Sequence, residues 1–429
     1  MITLSRLPVV LLISFGFSIA AFVPAVVGFA TDNSEAARNF LYAGILSLGI
    51  CMAVALAVSN RDQGDTRRTM LLTLLFPFTV VPFALAVPFA ETLRTTTYAN
   101  AYLDMVSAIT TTALPTFELD RLSQPLMIWR SLVAWMGGLL MWTFAWVLLM
   151  PMRLGGYEIS PMSYDHRPTR HELRARQTLA ERFLAELKLI GPMYTALTLV
   201  AWIALTGSGM HGYDASIFAM GAVSTAGYQP NDVTDLGFGQ EVMIFLTLCF
   251  AVTRQCFGDR FAIVRDRAFW RNSELRLAFV VVLSVATLLF ARQFVGAATV
   301  DTSRQFEEAA QAFWGGLYTA LSFLTTTGYT SFGWDEAQSW SGLANPTVIL
   351  LALSLIGGGV ATSAGGIKLL RMASLMQHSG REIAQLAEPK RIIPSRRTGF
   401  SGNIQNAVWA WVFFMSFFAS FALVALCLA

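Results

Sequence analysis

The chain has 429 residues, of which 55% are hydrophobic and 13% are charged, and its mean hydropathy is +0.55. Soluble globular domains carry about 25% charged residues, so this composition excludes that class and predicts an integral membrane protein. The net charge of +3 gives no indication of a nucleic-acid partner, and the four cysteines lack the Cys-x-x-Cys spacing of a metal or redox site.

Nine apolar runs approach the roughly 20 residues that are needed to cross the hydrocarbon layer. They cover 8–30, 39–58, 69–90, 126–152, 187–206, 239–257, 275–299, 343–367 and 403–429. The first run is longer than the apolar part of a signal peptide, which spans roughly 7–15 residues, and this favours a retained helix over a cleaved leader. We therefore predict about nine transmembrane helices, each of the length expected for a spanning segment.

Lysine and arginine are distributed unevenly between the loops that join these runs. If the amino terminus is cytoplasmic, the loops on that side hold the clusters at 61–68, 153–188, 260–276 and 368–397, and the opposite side keeps isolated arginines. This asymmetry follows the positive-inside rule. The expected location is the bacterial cytoplasmic (inner) membrane, with a multi-pass chain whose amino terminus lies in the cytoplasm.

Three short hydroxyl-rich stretches recur at intervals of roughly one hundred residues, which indicates duplicated units. They are Ser107-Ala-Ile-Thr-Thr-Thr-Ala113, Gly221-Ala-Val-Ser-Thr-Ala-Gly227 and Ser322-Phe-Leu-Thr-Thr-Thr-Gly328. Non-helical backbone is tolerated at membrane depth only where it is buried in protein or lines a water-filled path. We therefore expect the three copies to line one pore.

Each stretch follows a half-apolar segment of about 10–15 residues, a length that indicates a re-entrant helix. Such a helix, entering from outside, directs the negative end of its dipole towards the membrane centre and favours a dehydrating cation there. Carbonyls and threonine hydroxyls can then replace the water shell of the ion. The predicted filter residues are Thr111, Thr112, Ala113, Thr225, Ala226, Gly227, Thr326, Thr327 and Gly328. The expected metal-ion ligands among them are Thr111, Thr112, Thr225, Ala226, Thr326 and Thr327.

Glycine suits the last column of the repeat because a filter strand uses backbone angles that side chains resist. Gly227 and Gly328 fit this requirement, whereas Ala113 does not. Acidic residues follow each filter, at Glu118, Asp120, Asp232, Asp235, Asp335 and Glu336. These could concentrate cations at an outer mouth or be ordinary solvated loop acids, and a single hydroxyl stretch could simply join membrane helices. The threefold repetition favours the pore.

Two further motifs carry a family resemblance. Trp129-Arg-Ser-Leu-Val-Ala-Trp135-Met-Gly-Gly138 follows the first filter, and Ile356-Gly-Gly-Gly-Val-Ala-Thr-Ser-Ala-Gly-Gly-Ile-Lys368 follows the third. With the filters, they make the chain resemble the Trk/Ktr/HKT superfamily of potassium transporters, and within it the TrkH-like translocation subunits. The resemblance implies an all-α fold with helix, pore helix and helix units around a pseudo-fourfold pore axis.

The resemblance also implies a function, a gate and partners. The protein would take up K⁺, with Na⁺ possible, through a channel-like pore, as a homodimer that binds a cytoplasmic nucleotide-binding regulatory subunit of the TrkA or KtrA type. Glycines weaken a helix by roughly 1 kcal/mol each relative to alanine, so the second motif should unwind into an intramembrane gate. The gate residues would be Gly357, Gly358, Gly359, Thr362, Ser363, Gly365, Gly366 and Lys368.

The resemblance also gives expected boundaries for the units. They are an N-terminal two-helix extension at 1–68 and pore units at 69–152, 153–265 and 266–397, followed at 398–429 by the first helix of an incomplete fourth unit.

Two side chains depart from the family pattern: Ala113 favours sodium permeation, and Arg254 could repel cations under the pore or snorkel to the inner surface. A non-conducting or incomplete paralogue and a sodium-permeable or ion-coupled secondary transporter are therefore alternatives.

Two other classes of function compete with a channel-like pore. A proton- or sodium-coupled carrier needs an ionisable residue deep in the membrane. Apart from Arg130 and Arg254, the apolar runs contain almost none. An enzyme needs converging catalytic groups, but His166, His171 and His378 fall in predicted cytoplasmic stretches. We therefore predict that the protein is not an enzyme.

Overall fold

The computed structural model describes residues 7–58, 67–152, 178–230, 236–252, 273–297, 305–332, 334, 347–360, 362–388 and 404–428. These residues form helices and connecting segments, with no strand among them. The helices are α1 (Val9–Ala20), α2 (Phe22–Ala30), α3 (Ser34–Val58), α4 (Arg67–Thr79), α5 (Val81–Leu93), α6 (Tyr98–Ile109), α7 (Gln124–Phe144), α8 (Leu179–Gly207), α9 (Gly212–Ser224), α10 (Phe238–Val252), α11 (Ser273–Ala297), α12 (Gln305–Leu324), α13 (Thr347–Ile356), α14 (Leu369–Ala387) and α15 (Ile404–Leu428). An all-α integral membrane protein is confirmed.

Within this part of the chain, 7 helical segments are long and apolar enough to cross a membrane. They are Val9–Ala30, Ser34–Val58, Arg68–Leu93, Gln124–Leu149, Leu179–Gly207, Glu274–Ala291 and Ala407–Cys427. The two remaining predicted runs contain the shorter apolar helices α10 and α13. The end of the run at 239–257 lies outside the described residues, and the run at 343–367 stops being helical after Ile356.

Two of the long segments are interrupted near prolines. α1 and α2 are separated at Ala21, and Pro24 lies in the first turn of α2. α4 and α5 are separated at Val80, with Pro77 before and Pro82 after the break. Proline has no N–H to donate and its ring clashes with the carbonyl four residues earlier, so a break or kink at such positions is expected.

The helices divide into two compact units of the chain. The first holds α1 to α9 and most of α10, and the second holds the end of α10 and α11 to α15. In the first unit Trp129 is fully buried, its indole N–H donates to the Leu85 carbonyl at 3.3 Å, and its ring lies edge-on to Phe40. In the second unit α11 packs against α12, and α14 packs against α15.

The segments before the three filters are α6, α9 and α12. α6 and α9 have 12 and 13 residues, within the predicted half-length range, but α12 has 20 residues and is longer than predicted. Glu307 and Glu308 interrupt the apolar pattern at the start of this segment, and the structure continues the helix through them.

Candidate ion-conduction site

The three filter stretches begin with the same helix-ending turn. At each helix end a hydroxyl donates to the carbonyl one turn back: Thr110 to Val106 (2.7 Å), Ser224 to Met220 (2.7 Å) and Thr325 to Leu321 (3.0 Å). Two residues later a backbone N–H donates to the carbonyl five positions earlier: Thr112 to Ser107 (2.9 Å), Ala226 to Gly221 (2.8 Å) and Thr327 to Ser322 (2.9 Å). This is the six-to-one bond of a Schellman C-cap. The sequence repeat is thus also a repeat of backbone geometry.

The left-handed position of each turn is occupied by threonine rather than glycine. Thr111, Thr225 and Thr326 all have a φ of 57°. This conformation costs roughly 1–2 kcal/mol for a residue with a Cβ, and such strain persists mainly at functional sites, where the surrounding structure imposes it. Sequence reasoning selected these residues for their hydroxyls and missed their backbone conformation, because glycine occurs only two columns later.

That later column contains Ala113, Gly227 and Gly328; Ala113 and Gly328 have φ values of 51° and 85°, whereas Gly227 does not have a positive φ, so the expected need for glycine is not borne out at that position. A positive φ favours glycine, and Ala113 adopts it in spite of its Cβ. The first filter therefore contains two strained residues with side chains, at positions 111 and 113, within three residues of one another.

Hydroxyl groups also pair within two of the three turns. The hydroxyls of Thr110 and Thr112 are 2.9 Å apart, and so are those of Thr325 and Thr327. The second turn has Ala226 at the later position and no side-chain hydroxyl there. The first and third filters therefore share a polar arrangement that the second lacks.

Two adjacent glycines of α7 bring the first two filter turns together. A Cβ added to Gly137 would lie 2.0 Å from the carbonyl oxygen of Ile109, at the end of α6. A Cβ added to Gly138 would lie 2.9 Å from the Cβ of Ser224, at the end of α9. α7 thus touches the ends of both short helices, which gives a physical reason for the glycine pair that closes the motif at 129–138.

Replacing Gly137 by alanine is expected to displace the end of α6 and to destabilise the protein by about 1–3 kcal/mol, the usual cost of overpacking. The measurement is the midpoint of heat-induced aggregation of the detergent-solubilised protein. Gly49→Ala in α3 is the matched control, since nothing lies within 4 Å of its added Cβ. Equal midpoints for the two variants would contradict the close contact.

The glycine-rich motif forms a loop between two helices. α13 ends at Ile356 and α14 begins at Leu369. Backbone bonds close the loop: Lys368 N–H donates to the Ile356 carbonyl at 2.9 Å, and Leu369 N–H donates to the Gly358 carbonyl at 3.1 Å. The Lys368 ammonium donates to the carbonyls of Thr362 and Ala364. The predicted unwinding of this segment is confirmed.

The loop lies against the third filter. Gly365 N–H donates to the Thr326 hydroxyl at 2.8 Å. Thr326 is the left-handed threonine of that filter, so one hydrogen bond joins the strained filter residue to the loop. The structure therefore brings together the predicted filter residue and the predicted gate segment within the second unit.

A buried glutamate also holds the loop, and sequence reasoning missed it. Glu274, in the first turn of α11, is 1% exposed, and its carboxylate accepts from Val360 N–H at 3.0 Å. Beside it, Gly359 N–H donates to the Val252 carbonyl at 3.0 Å, and a Cβ on Gly359 would lie 2.4 Å from that oxygen. The only sequence signal was an acidic residue at the start of an apolar run.

Several predicted residues lie elsewhere. Glu118 and Asp120 are exposed after the first filter. Asp232, Asp235, Asp335, Glu336 and Arg254 lie outside the described residues. Asp104 and Glu241 are buried, at 0% and 2% exposure, and Asp104 lies in α6, outside the apolar runs that were expected to hold few ionisable groups.

Long apolar helices joined by short helices that end in repeated strained turns define a multi-pass membrane protein of the transport class. The sequence model of the TrkH family, described as a cation transport protein, matches residues 37–429. The chain belongs to the TrkH family of cation transport proteins.

Individual relatives give the same assignment. The chain is 25% identical over 392 residues to the Trk system potassium uptake protein TrkH of Escherichia coli K12, covering 86% of this chain and 75% of that protein. It is 26% identical over 408 residues to TrkI of Halomonas elongata, with 89% and 76% covered. The crystal structure of the potassium transporter TrkH from Vibrio parahaemolyticus has the same fold, with a TM-score of 0.76 and 21% identity over 99% of this chain and 84% of that one.

Proposed function

We propose that this protein is the translocation subunit of a potassium-uptake system and that cations pass along its filter turns without covalent chemistry. The observation that carries the proposal is the identical left-handed conformation of Thr111, Thr225 and Thr326. Because all three turns retain the same strained conformation, we infer that they have the same role. This backbone would present carbonyl and hydroxyl oxygens to a dehydrated cation. The potassium-uptake names of the relatives agree with it.

In this proposal the filter and gate have the residues that the sequence predicted. The filter is formed at 111–113, 225–227 and 326–328, and the gate at 357–368. The bond between Gly365 and Thr326 supports the gate, because a loop held by a filter residue can respond to what the filter binds. Because Ala113 occupies a position where the family pattern has glycine, Na⁺ is a second candidate for the transported ion.

The membrane orientation and the partners also belong to the proposal. The cation-rich loops support an amino terminus in the cytoplasm of a bacterium, with the filters opening from the outer side. The pore units would cover 69–152, 153–265 and 266–397, after the helices of residues 1–68 and before a further helix at 398–429. A second copy of the chain and a cytoplasmic nucleotide-binding subunit would complete the assembly.

Flux measurements test the proposal directly. The protein is reconstituted into sealed vesicles with a potassium gradient, and uptake of rubidium is followed with no gradient of protons or sodium. Uptake driven by the membrane potential alone is expected, with about 2.3 kcal/mol available per charge at each 100 mV. A strict need for a sodium or proton gradient would instead identify a coupled carrier, and the complete absence of flux would favour a non-conducting protein.

A further inference from the structure

A buried ion pair lies behind the first filter. Arg130 of α7 and Asp104 of α6 are joined at 2.9 Å, and their side chains are 2% and 0% exposed. Burying two charges is costly, and a buried pair is weak evidence for stability in itself. Its position is more informative than its energy.

The pair reaches the backbone that follows Ala113. The Arg130 guanidinium makes a long contact with the Leu114 carbonyl, at 3.5 Å, and its central carbon lies 4.6 Å from the centre of the Tyr228 ring. Leu114 and Tyr228 directly follow the last filter columns of the first and second repeats. Arg130 therefore touches the residues that directly follow two filters.

Leu114 has a second anchor at its other polar group. Its N–H donates to the hydroxyl of Ser107 at 2.7 Å. Both backbone groups of the residue next to Ala113 are thus held, one by Ser107 and the other by Arg130. Anchoring the next residue restricts the φ and ψ angles of Ala113.

The third repeat provides an internal comparison. Its residue at the position of Ser107 is Ser322, whose buried hydroxyl has no hydrogen-bond partner among the described residues. The third filter has Gly328 where the first has Ala113. The side-chain anchor is therefore seen where the left-handed position carries a Cβ, and is missing where glycine makes it unnecessary.

We propose that Ser107 and the pair of Asp104 and Arg130 are positioning residues that hold Ala113 in its left-handed conformation and thereby set how the first filter discriminates between alkali cations. The inference rests on the proposed function, since it assigns selectivity to the same filter. Selectivity depends on the placement and number of the carbonyls that surround the ion, and Ala113 can place its carbonyl correctly only while it is held.

The test is a cycle of Ser107→Ala, Ala113→Gly and the double variant, measured as the ratio of potassium to sodium flux in vesicles. Ser107→Ala is expected to shift the ratio roughly threefold to tenfold, the factor that corresponds to one hydrogen bond. In the Ala113→Gly background the same change is expected to shift it by less than about twofold, since glycine needs no anchor. Ser322→Ala is the matched control and should leave the ratio unchanged.

A second measurement separates this inference from the proposed function. The heat-aggregation midpoint is measured for the same set of variants, because this measurement needs no transport. Ser107→Ala should lower the midpoint, and Ala113→Gly should suppress that decrease. Equal effects of Ser107→Ala in both backgrounds, in flux ratio and in midpoint, would overturn the inference. If the unmodified protein shows no cation flux, the proposed function and the selectivity role fail together, and the midpoint cycle still decides whether Ser107 anchors Ala113.

Discussion

Replacing Arg130 by methionine is expected to destabilise the protein by about 3–5 kcal/mol, which is the usual effect of removing one partner of a buried ion pair. The reason is that Asp104, with 0% of its side chain exposed, would be left buried without its partner. The measurement is the heat-aggregation midpoint in detergent, together with the fraction of expressed protein that remains monodisperse.

A comparison with an exposed pair isolates the effect of burial. Arg94 pairs with Glu35, and the two side chains are 71% and 46% exposed. Arg94→Met should therefore change stability by no more than about 1 kcal/mol. The double variant Asp104→Leu with Arg130→Met removes both charges and is expected to recover much of the stability lost in the single variant. If Arg130→Met were no worse than Arg94→Met, the buried pair would have no special role.

Replacing Gly357 by alanine is expected to open the loop at 357–368 and to raise uncontrolled cation leak. The added Cβ would lie 2.0 Å from the Gly365 carbonyl oxygen and 2.8 Å from the Gly366 Cα, and Gly357 has a φ of 73°. Both obstacles are backbone atoms, which cannot rotate away as a side chain does. Overpacking and the left-handed conformation together should cost about 2–5 kcal/mol.

Gly209→Ala separates the two contributions in that prediction. Gly209 has a φ of 93°, but nothing lies within 4 Å of its added Cβ. Gly209→Ala should therefore lose only the stability that corresponds to the left-handed conformation, about 1–2 kcal/mol. Its cation flux should stay normal. Rubidium leak in vesicles and the aggregation midpoint are compared for both variants. A Gly357→Ala protein with unchanged leak would remove the loop at 357–368 from the gate.

Two buried charges of this protein hold irregular backbone. Arg130 contacts the Leu114 carbonyl beside the first filter, and the Glu274 carboxylate accepts from Val360 in the glycine-rich loop. In both places the segment lacks helical hydrogen bonds, so its peptide groups need partners from side chains. The two side chains thus supply what secondary structure cannot.

The amino-acid sequence by itself determined the membrane class, the repeat and the break in the last motif. Apolar runs of spanning length, the repeated hydroxyl stretches and the glycines at 357–366 are local patterns, and each constrains a short stretch of backbone through burial or propensity. For that reason the helix end at Ile356 and the filter turns after α6 and α9 could be predicted.

Tertiary structure alone decided which residues support those elements. Arg130 was recognised as a deep charge, but its partner Asp104 is 26 positions away and comes from another helix. Glu274 meets Val360 across 86 positions, and Gly365 meets Thr326 across 39. Pairings of this kind depend on how helices pack, and a single sequence has no local pattern that encodes them. The shared φ of 57° at the three threonines was hidden for a related reason, because packing imposes a conformation that the intrinsic preference of threonine opposes.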